Sequence, residues 1–312
     1  MTIFSFGSDP EFIIQKDDDV KSAIGILPSK ENALEKNGCK IYYDNVLAEL
    51  AVKPSFTKQE AIDNTYKGLR FLADAIYPHK LVMKSAANYP IEEINCDEAR
   101  IVGCNPEWDV YSLEMISPPS ELTTFDDGYY RFINSFRTAG GHIHAGSDSL
   151  LDQYKTLSFV RMMDLFVGTS SIFLDKDATA IDRRKFYGKA GSHRLPLYGV
   201  EYRPLGNFWC STPELVGLIY DLTEFVINFI DARLDEKFWS KDENFSDMDD
   251  TAQSFQCFGY DVEMLKSLIN GCNKADASKF MLFISNYLPD SLVSDIESLS
   301  MMDAVDPYEG WG

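Results

Sequence analysis

The sequence predicts an α+β fold class, on three observations. Short runs rich in aromatic and β-branched residues, typical of strands, dominate the first third of the chain. Longer segments with apolar residues at helical spacing follow them. Several strand-like runs carry polar side chains at every second position, which places those side chains on one face of a sheet. The strand-like runs cover residues 2–6, 11–15, 40–43, 46–52 and 81–85.

The composition is that of a globular protein with a sizeable core. The chain has 312 residues, of which 45% are hydrophobic and 25% are charged. Its formal net charge of -20 argues against nucleic acid or a membrane surface as a partner, because both are anionic. No segment has the character of a signal peptide or approaches about 18 uninterrupted apolar residues. We therefore expect a soluble, cytoplasmic protein.

Three helices are predicted from apolar spacing and capping residues. The first begins after the capping-box residue Thr57. The second covers about residues 150–174. The third begins after Thr212, with Pro213 in its first turn.

The C-terminal part, residues 237–312, is predicted to be a helical extension that packs on the domain formed by residues 1–236. Trp311 is expected to dock on that domain. Within the extension we expect a solvated loop at residues 241–250 and helices at about residues 262–270 and 277–287. An irregular tail is expected at residues 306–312.

Two of the four histidines lie in one segment, Gly-Gly-His-Ile-His-Ala-Gly at residues 140–146. In a strand, His142 and His144 project from one face while Ile143 points to the other. Two imidazoles on one face are suited to a metal or ligand site. A pair of half-exposed loop histidines is the alternative.

Acidic residues also occur at strand spacing. Asp9 and Glu11 begin one apolar run, Glu201 and Arg203 follow another, and Glu49 lies inside a third. Carboxylates in such surroundings need a cation or a hydrogen-bond donor. Oxygen ligands favour Mg²⁺ or Mn²⁺ over Zn²⁺. Taken singly, these residues also fit a turn, an exposed strand acid or a surface ion pair.

One spacing, Asp-xxxx-Glu-xxxx-Pro-Ser, occurs twice, from Asp44 and from Asp109. Two strands with similar exits would produce this repeat, and so would chance. The repeat does not by itself make Glu114 functional.

Basic residues are scarce but crowd into residues 182–194. This segment predicts a local anion site in an acidic protein. Gly188 and Gly191 would let backbone amides approach a phosphate, although no Walker-type motif is present. A solvated helix end is the alternative.

Taken in order, these motifs resemble those of the glutamine synthetase and glutamate-cysteine ligase superfamily, which has an acid-x-Glu strand, a Gly-x-His-x-His strand and a late Glu-x-Arg. Three segments more closely resemble the phage-encoded type 2 carboxylate-amine ligases, or amidoligases. They are Gly-Cys-Asn-Pro at 103–106, Arg-Thr-Ala-Gly-Gly-His-Ile-His at 137–144, and Tyr-Gly-Lys-Ala-Gly through Glu-Tyr-Arg at 187–203. The resemblance covers about residues 5–210.

The resemblance implies that residues 1–236 form a glutamine synthetase-like catalytic domain. Its sheet would be curved and mainly antiparallel, with a concave active-site face and helices packed on the other face. The implied ligands are Glu11 and Glu49 for one metal, and Asp9, His142 and Glu201 for a second. The implied ATP contacts are His144, Arg183, Arg184 and Lys189. The implied catalytic residues, which stabilise the transferred phosphoryl group, are Arg203 and Arg194.

The implied activity is an ATP-dependent carboxylate-amine ligase with Mg²⁺ or Mn²⁺. ATP phosphorylates a carboxylate and an amine attacks the acyl phosphate, so no protein nucleophile is needed. The substrates would be a small molecule, a peptide or a protein side chain, in the host cytoplasm if a phage encodes the chain. Two alternatives are an inactive ligase-like binding or virion-associated protein and a metal-dependent amide hydrolase, because His-x-His also serves zinc sites.

The chain departs from the pattern in three ways. Asp9 stands where glutamine synthetases have Glu, and their small N-terminal domain has no counterpart here. Glu107 stands where the phage family usually has Asp. The third ligand of the first metal is left open among Glu107, Asp109 and Glu114.

Overall fold

A computed structural model describes residues 3–102, 107–235, 256–257 and 260–311. In this part of the chain, one large sheet and three two-stranded sheets account for the strands. The strands are β1 (Ser5–Ser8), β2 (Glu11–Lys16), β3 (Asp19–Lys21), β4 (Leu34–Lys36), β5 (Cys39–Asp44), β6 (Leu47–Ser55), β7 (Lys80–Val82), β8 (Ala86–Asn88), β9 (Glu107–Asp109), β10 (Met115–Ile116), β11 (Thr123–Asp126), β12 (Tyr129–Phe132), β13 (Phe136–Thr138), β14 (Ile143–Gly146), β15 (Ser192–Arg194), β16 (Gly199–Tyr202), β17 (Gln256–Cys257) and β18 (Tyr260–Asp261).

The helices begin after β6 and become frequent after β14. They are α1 (Lys58–Ile76), α2 (Gln153–Met163), α3 (Thr169–Leu174), α4 (Ala180–Phe186), α5 (Pro213–Asp231), α6 (Val262–Asn270), α7 (Lys274–Ile284), α8 (Asp290–Ser300) and α9 (Pro307–Gly310). Short 3-10 helices lie at Lys30–Asn32, Ile91–Glu93, Asp148–Leu151 and Asn207–Cys210.

The large sheet has twelve strands within the described residues, and every strand pair in it is antiparallel. Its main order is β10-β9-β15-β16-β14-β1-β6-β2-β3. β5 continues the sheet from β6 towards β4, and β7 pairs with β2. The predicted combination of helices with an antiparallel sheet is confirmed.

The central strands have one apolar face and one polar face. Ile143 and Ala145 in β14 are fully buried in the hydrophobic core, and the histidines that alternate with them point the other way. Helix α1 packs on β6 and α5, and α2 packs on β16. The helices therefore bury one face of the sheet and leave the other to polar groups.

The two predicted N-caps are present where the sequence placed them. The Thr57 side chain accepts a hydrogen bond from the Glu60 backbone amide at the start of α1. Thr212 accepts one from the Leu215 amide at the start of α5, where Pro213 occupies the first turn. Each contact satisfies a backbone donor that the helix leaves unpaired.

The helix predicted over residues 150–174 is interrupted. A π-helical turn at Asp164–Gly168 separates α2 from α3. Of the described helices, only the run Gln153–Leu174 is long and apolar enough to cross a membrane, and 89% of its most apolar window is buried inside the protein. This run is therefore a core helix of the fold.

The C-terminal helices share the main hydrophobic core with the sheet. Leu268 in α6, Phe280 in α7 and Ile296 in α8 are at most 2% exposed and belong to the same cluster as Phe6 of β1. The division into residues 1–236 and 237–312 stays a prediction. The predicted loop at 241–250 and the motif at 103–106 lie outside the described residues.

Several boundaries differ from the prediction. The strand predicted over 81–85 ends at Val82, and α8 has no counterpart in the prediction. The tail is not irregular throughout, since α9 begins at Pro307. Trp311 docks as expected, because its Nε1 donates to the Cys210 carbonyl and its ring stacks on Tyr66.

Candidate active site

Three carboxylates from neighbouring strands meet on the polar face of the sheet, and we call them the acid group. Glu11 of β2 lies directly opposite Glu49 of β6 in the strand register. Asp44, the last residue of β5, is the third member, with one oxygen of each carboxylate within 4.8 Å of the others. Like charges directly opposite in a sheet are destabilising, so this arrangement calls for a compensating partner.

Burial of Glu11 and Glu49 increases the need for a compensating partner. It raises the pKa of Glu11 to about 7, with Asp44 adding to the rise. It also raises the pKa of Glu49 well above its ordinary value, with repulsion from Asp44, Asp9 and Glu11 as further causes. The metal-free protein therefore holds protons on carboxylates that would be ionised in water. A divalent cation with a preference for oxygen ligands fits this donor set.

Two donors orient the acid group without neutralising it. The Tyr42 hydroxyl donates to Glu49 Oε1 at 2.6 Å, from the facing position on β5. The Gly140 amide donates to Glu11 Oε2 at 2.6 Å. The second contact ties the acid group to the segment that carries the histidines.

A second cluster of possible ligands comprises Asp9, His144 and Glu201, and we call it the His-acid group. His144 and Glu201 are direct cross-strand partners on β14 and β16. One Asp9 oxygen, Oδ1, lies 3.1 Å from His144 Nε2 and 3.1 Å from His142 Nδ1. His142 Nδ1 is also 3.7 Å from Glu201 Oε1, so both histidines line the same space.

The pKa values of the two histidines shift in opposite directions. Burial and the nearby Arg203 lower the pKa of His142 to about 4, so His142 is neutral at pH 7. Burial also acts to lower the pKa of His144, but Asp9 outweighs it and the pKa is raised. Although burial works to raise the pKa of Asp9, the two histidines hold that pKa well below its usual range. A neutral imidazole is suited to a metal and a charged one to a phosphate.

The glycines before the histidines allow the backbone to pack closely. A Cβ at Gly141 would lie 2.3 Å from the Gly206 carbonyl oxygen, which a real side chain cannot do. The Gly141 amide donates to the Leu205 carbonyl, and the Trp209 indole donates to the Gly141 carbonyl. The segment is thus fixed against the chain that follows β16.

Arg203 connects the site to a neighbouring strand. Its Nε donates to Glu107 Oε2 at 2.7 Å, its Nη1 donates to Glu201 Oε1, and its Nη2 donates to the Tyr187 hydroxyl at 2.5 Å. The side chain is 1% exposed. Arg194 lies opposite Glu201 on β15, with its Nη1 3.6 Å from Glu201 Oε1. Both guanidinium groups therefore adjoin the His-acid group.

This geometry can be compared with known proteins. Residues 131–247 match the family model described as phage phiEco32-like COOH.NH2 ligase-type 2. The match confirms the predicted family resemblance. It covers the strands that carry His142, His144, Glu201 and Arg203, and it supports a ligase of the carboxylate-amine type.

The other comparisons do not bear on the function. A search among curated proteins gave no match. Among solved structures, the chain is similar to a bifunctional glutathione synthetase from Pasteurella multocida, with 10% identity and a TM-score of 0.37. The alignment covers 96% of this chain and 51% of that one, so this chain spans about half the length of that protein.

The structure corrects the roles expected for Arg183 and Arg184. Both side chains are at most 2% exposed and bind protein atoms rather than lining the candidate site. Arg183 donates to the backbone oxygens of Arg203 and Pro204 at 3.0 and 2.9 Å. Arg184 donates to the Ile269 carbonyl at 2.7 Å and to the Ser171 hydroxyl at 3.0 Å. They brace the fold and are not available to a nucleotide.

The glycines of this basic segment make room for neighbouring side chains. Gly188 has a φ of +63°, and a Cβ there would lie 1.9 Å from Arg183 Nη1. A Cβ at Gly191 would lie 2.7 Å from Asp109 Oδ1. Lys189, between them, is exposed. Its assignment to ATP stays a prediction.

None of the three residues considered as third ligand joins the acid group in the described part of the chain. Glu107 is bound to Arg203, Asp109 accepts from the Tyr111 amide, and Glu114 is exposed. The third member is Asp44, which the sequence reasoning missed. The repeated spacing Asp-xxxx-Glu begins at Asp44 and was the feature of the sequence that could have identified it.

Proposed function

We propose that this chain is an ATP-dependent carboxylate-amine ligase that forms an amide through an acyl phosphate. Mg²⁺ or Mn²⁺ would bind at the acid group and at the His-acid group. The finer fold assignment, a glutamine synthetase-like catalytic domain with a concave active-site face, belongs to the same proposal. Use of ATP would place the reaction in the cytoplasm, that of the host if a phage encodes the chain.

One observation carries the proposal. A single sheet face brings together two separate clusters of metal-ligand side chains and a buried guanidinium, Arg203, that contacts a member of one of them. Transfer of a phosphoryl group to a carboxylate brings several negative charges together, and it is catalysed mainly by positioning and charge neutralisation. The carboxylates of the acid group, of which Glu11 and Glu49 are buried, would supply the ligands for the cations that neutralise this charge.

The proposed reaction has two steps. A carboxylate oxygen attacks the γ-phosphorus of ATP while the bond to ADP breaks. The amine nitrogen then attacks the acyl carbon, phosphate leaves, and the nitrogen loses a proton. When bound, the cations would neutralise the triphosphate and the carboxylate.

The protein residues have distinct parts in this proposal. Glu11, Asp44 and Glu49 would hold one cation, and the His-acid group with His142 would hold the other. Arg203 and Arg194 would balance the charge of the transferred phosphoryl group. Arg183 would keep the Arg203 backbone in place through its two carbonyl contacts.

The test uses the full chain with ATP, Mg²⁺, hydroxylamine and a panel of carboxylates. We expect hydroxamate and ADP in equal amounts from wild type, neither product from Glu11→Gln, and about a thousandth of the wild-type rate from Arg203→Lys. Glu114→Gln is the matched control because Glu114 is exposed, and it should retain full activity. Failure of the wild type to bind ATP with Mg²⁺ would refute the proposal. Bound zinc with hydrolysis of an amide would favour the hydrolase alternative instead.

A further inference from the structure

A cleft opens beside the acid group. Glu11 and Asp44 form part of its wall, so the cleft and the acid group share a boundary. Most of the remaining wall is apolar or aromatic. Its main apolar side chains are Leu47, Val102, Leu122, Phe132, Phe136 and Phe186.

The cleft also reaches Tyr187, a neighbour of the Arg203 guanidinium. Tyr187 lines the cleft, and its hydroxyl accepts a hydrogen bond from Arg203 Nη2 at 2.5 Å. By contrast, the described lining residues include neither Asp9 nor His144 of the His-acid group. The cleft therefore extends from the acid group and Tyr187, away from the side where His144 would meet a phosphate.

A buried positive charge forms another part of the wall. Arg137 is 2% exposed and donates to neutral oxygens, among them Asn45 Oδ1 at 2.9 Å and the Ala99 carbonyl at 2.7 Å. Within the described residues, no carboxylate forms an ion pair with it. Its guanidinium lies 3.9 Å from the centre of the Phe132 ring, so it covers an aromatic wall. The positive charge of Arg137 favours an anionic over a cationic ligand in the cleft.

We propose that this cleft binds the body of the carboxylate substrate, and that the substrate is a carboxylic acid with an aromatic or alkyl chain. The inference rests on the proposed ligase function for the identity of the ligand as a substrate. The carboxylate would lie at the end formed by Glu11, Asp44 and Tyr187, and the chain would lie among the aromatic walls. A polar acid such as glutamate would leave those walls in contact with water.

The size of the expected preference follows from apolar burial. Each buried methylene contributes about 0.8 kcal/mol, which corresponds to roughly a fourfold gain in affinity. Affinity should therefore rise about fourfold per methylene from acetate to hexanoate, and 3-phenylpropionate should bind more tightly than glutamate. Dissociation constants of the full chain with Mg²⁺, measured by ligand-observed NMR, test this order.

Phe136→Ala removes one aromatic wall, whose ring contacts Phe186 edge-on with 5.4 Å between the ring centres. We expect it to weaken 3-phenylpropionate binding at least tenfold and to leave ATP binding unchanged within about twofold. Phe125→Ala is the matched control, since Phe125 is 64% exposed and outside the cleft. Phe186→Leu, which preserves most of the volume, decides the question if Phe136→Ala does not fold.

Three results would overturn the inference. The first is an affinity for acids that does not increase with chain length. The second is unchanged 3-phenylpropionate binding in both cleft variants. The third is a loss of ATP affinity in those variants, which would show that the cleft holds the adenine. The proposed ligase function fails separately, if wild type binds the acid but never cleaves ATP. Binding thus decides the ligand class, and turnover decides the reaction.

Discussion

Replacement of Glu11 by Gln should stabilise the metal-free protein at alkaline pH. Burial and Asp44 raise the pKa of Glu11 from its ordinary 4.5 to about 7. At about 1.36 kcal/mol per pKa unit, ionisation of Glu11 at pH 8 costs the fold about 3 kcal/mol. Because the folded-state pKa is raised, the stabilisation is complete below pH 4.5 and is lost as the pH rises through 7. Gln keeps an acceptor for the Gly140 amide and carries no charge.

The assay is urea unfolding at pH 4.5, 6.5 and 8, in EDTA and in saturating Mg²⁺. In EDTA, Glu11→Gln should equal wild type at pH 4.5 and exceed it by about 3 kcal/mol at pH 8. In Mg²⁺, wild type should gain stability because a ligand that binds only the folded state adds its binding energy, and Glu11→Gln should lose most of that gain. Glu114→Gln should follow wild type throughout, since Glu114 is exposed.

Equal stability of Glu11→Gln and wild type at pH 8 in EDTA would refute the reasoning. It would mean that Glu11, Asp44 and Glu49 do not repel one another in the metal-free fold. A gain in EDTA without any effect of Mg²⁺ on wild type would retain the electrostatic strain and remove the cation from the proposal.

Three further predictions concern other parts of the molecule. Burial raises the pKa of Asp164 to about 7. Protonated Asp164 therefore stabilises the fold fully below about pH 4, and this stabilisation is lost as the pH rises to 7. Asp164→Asn should reduce the difference in unfolding free energy between pH 5 and pH 8 in urea. Gly188→Ala should cost about 3 kcal/mol in the same assay because its Cβ would meet Arg183, whereas Gly25→Ala, at a φ of +82° with open space, should cost about 1 kcal/mol. Arg203→Lys should lower turnover about a thousandfold and leave ATP affinity nearly unchanged, measured by hydroxamate formation and calorimetry.

Local sequence signals predicted the parts of the fold that depend on near neighbours. Thr57 and Thr212 cap their helices because the side chain and its backbone partner are three residues apart. The alternation of His142 and His144 with buried Ile143 follows from strand geometry alone. Such features require no knowledge of which strands become neighbours.

The site itself depends on pairings that the sequence does not specify. Asp44 reaches Glu11 only because β5 and β2 both pair with β6, and the register of those strands was not predictable from any one of them. The basic segment misled for another reason. Crowded basic residues predicted an anion site, but Arg183 and Arg184 are buried and their partners are backbone and hydroxyl oxygens of the fold.

The position of Arg203 depends on a buried chain of contacts that begins outside the site. Gly188 leaves the space that the Arg183 guanidinium occupies, and Arg183 holds the carbonyl oxygens of Arg203 and Pro204. A side chain at residue 188 must displace that guanidinium, and the backbone that carries Arg203 then loses two charge-assisted hydrogen bonds. Since Arg203 in turn contacts both Glu107 and Glu201, the disturbance would reach the His-acid group without any change to its own residues. The stability cost of Gly188→Ala and a fall in turnover should therefore occur together.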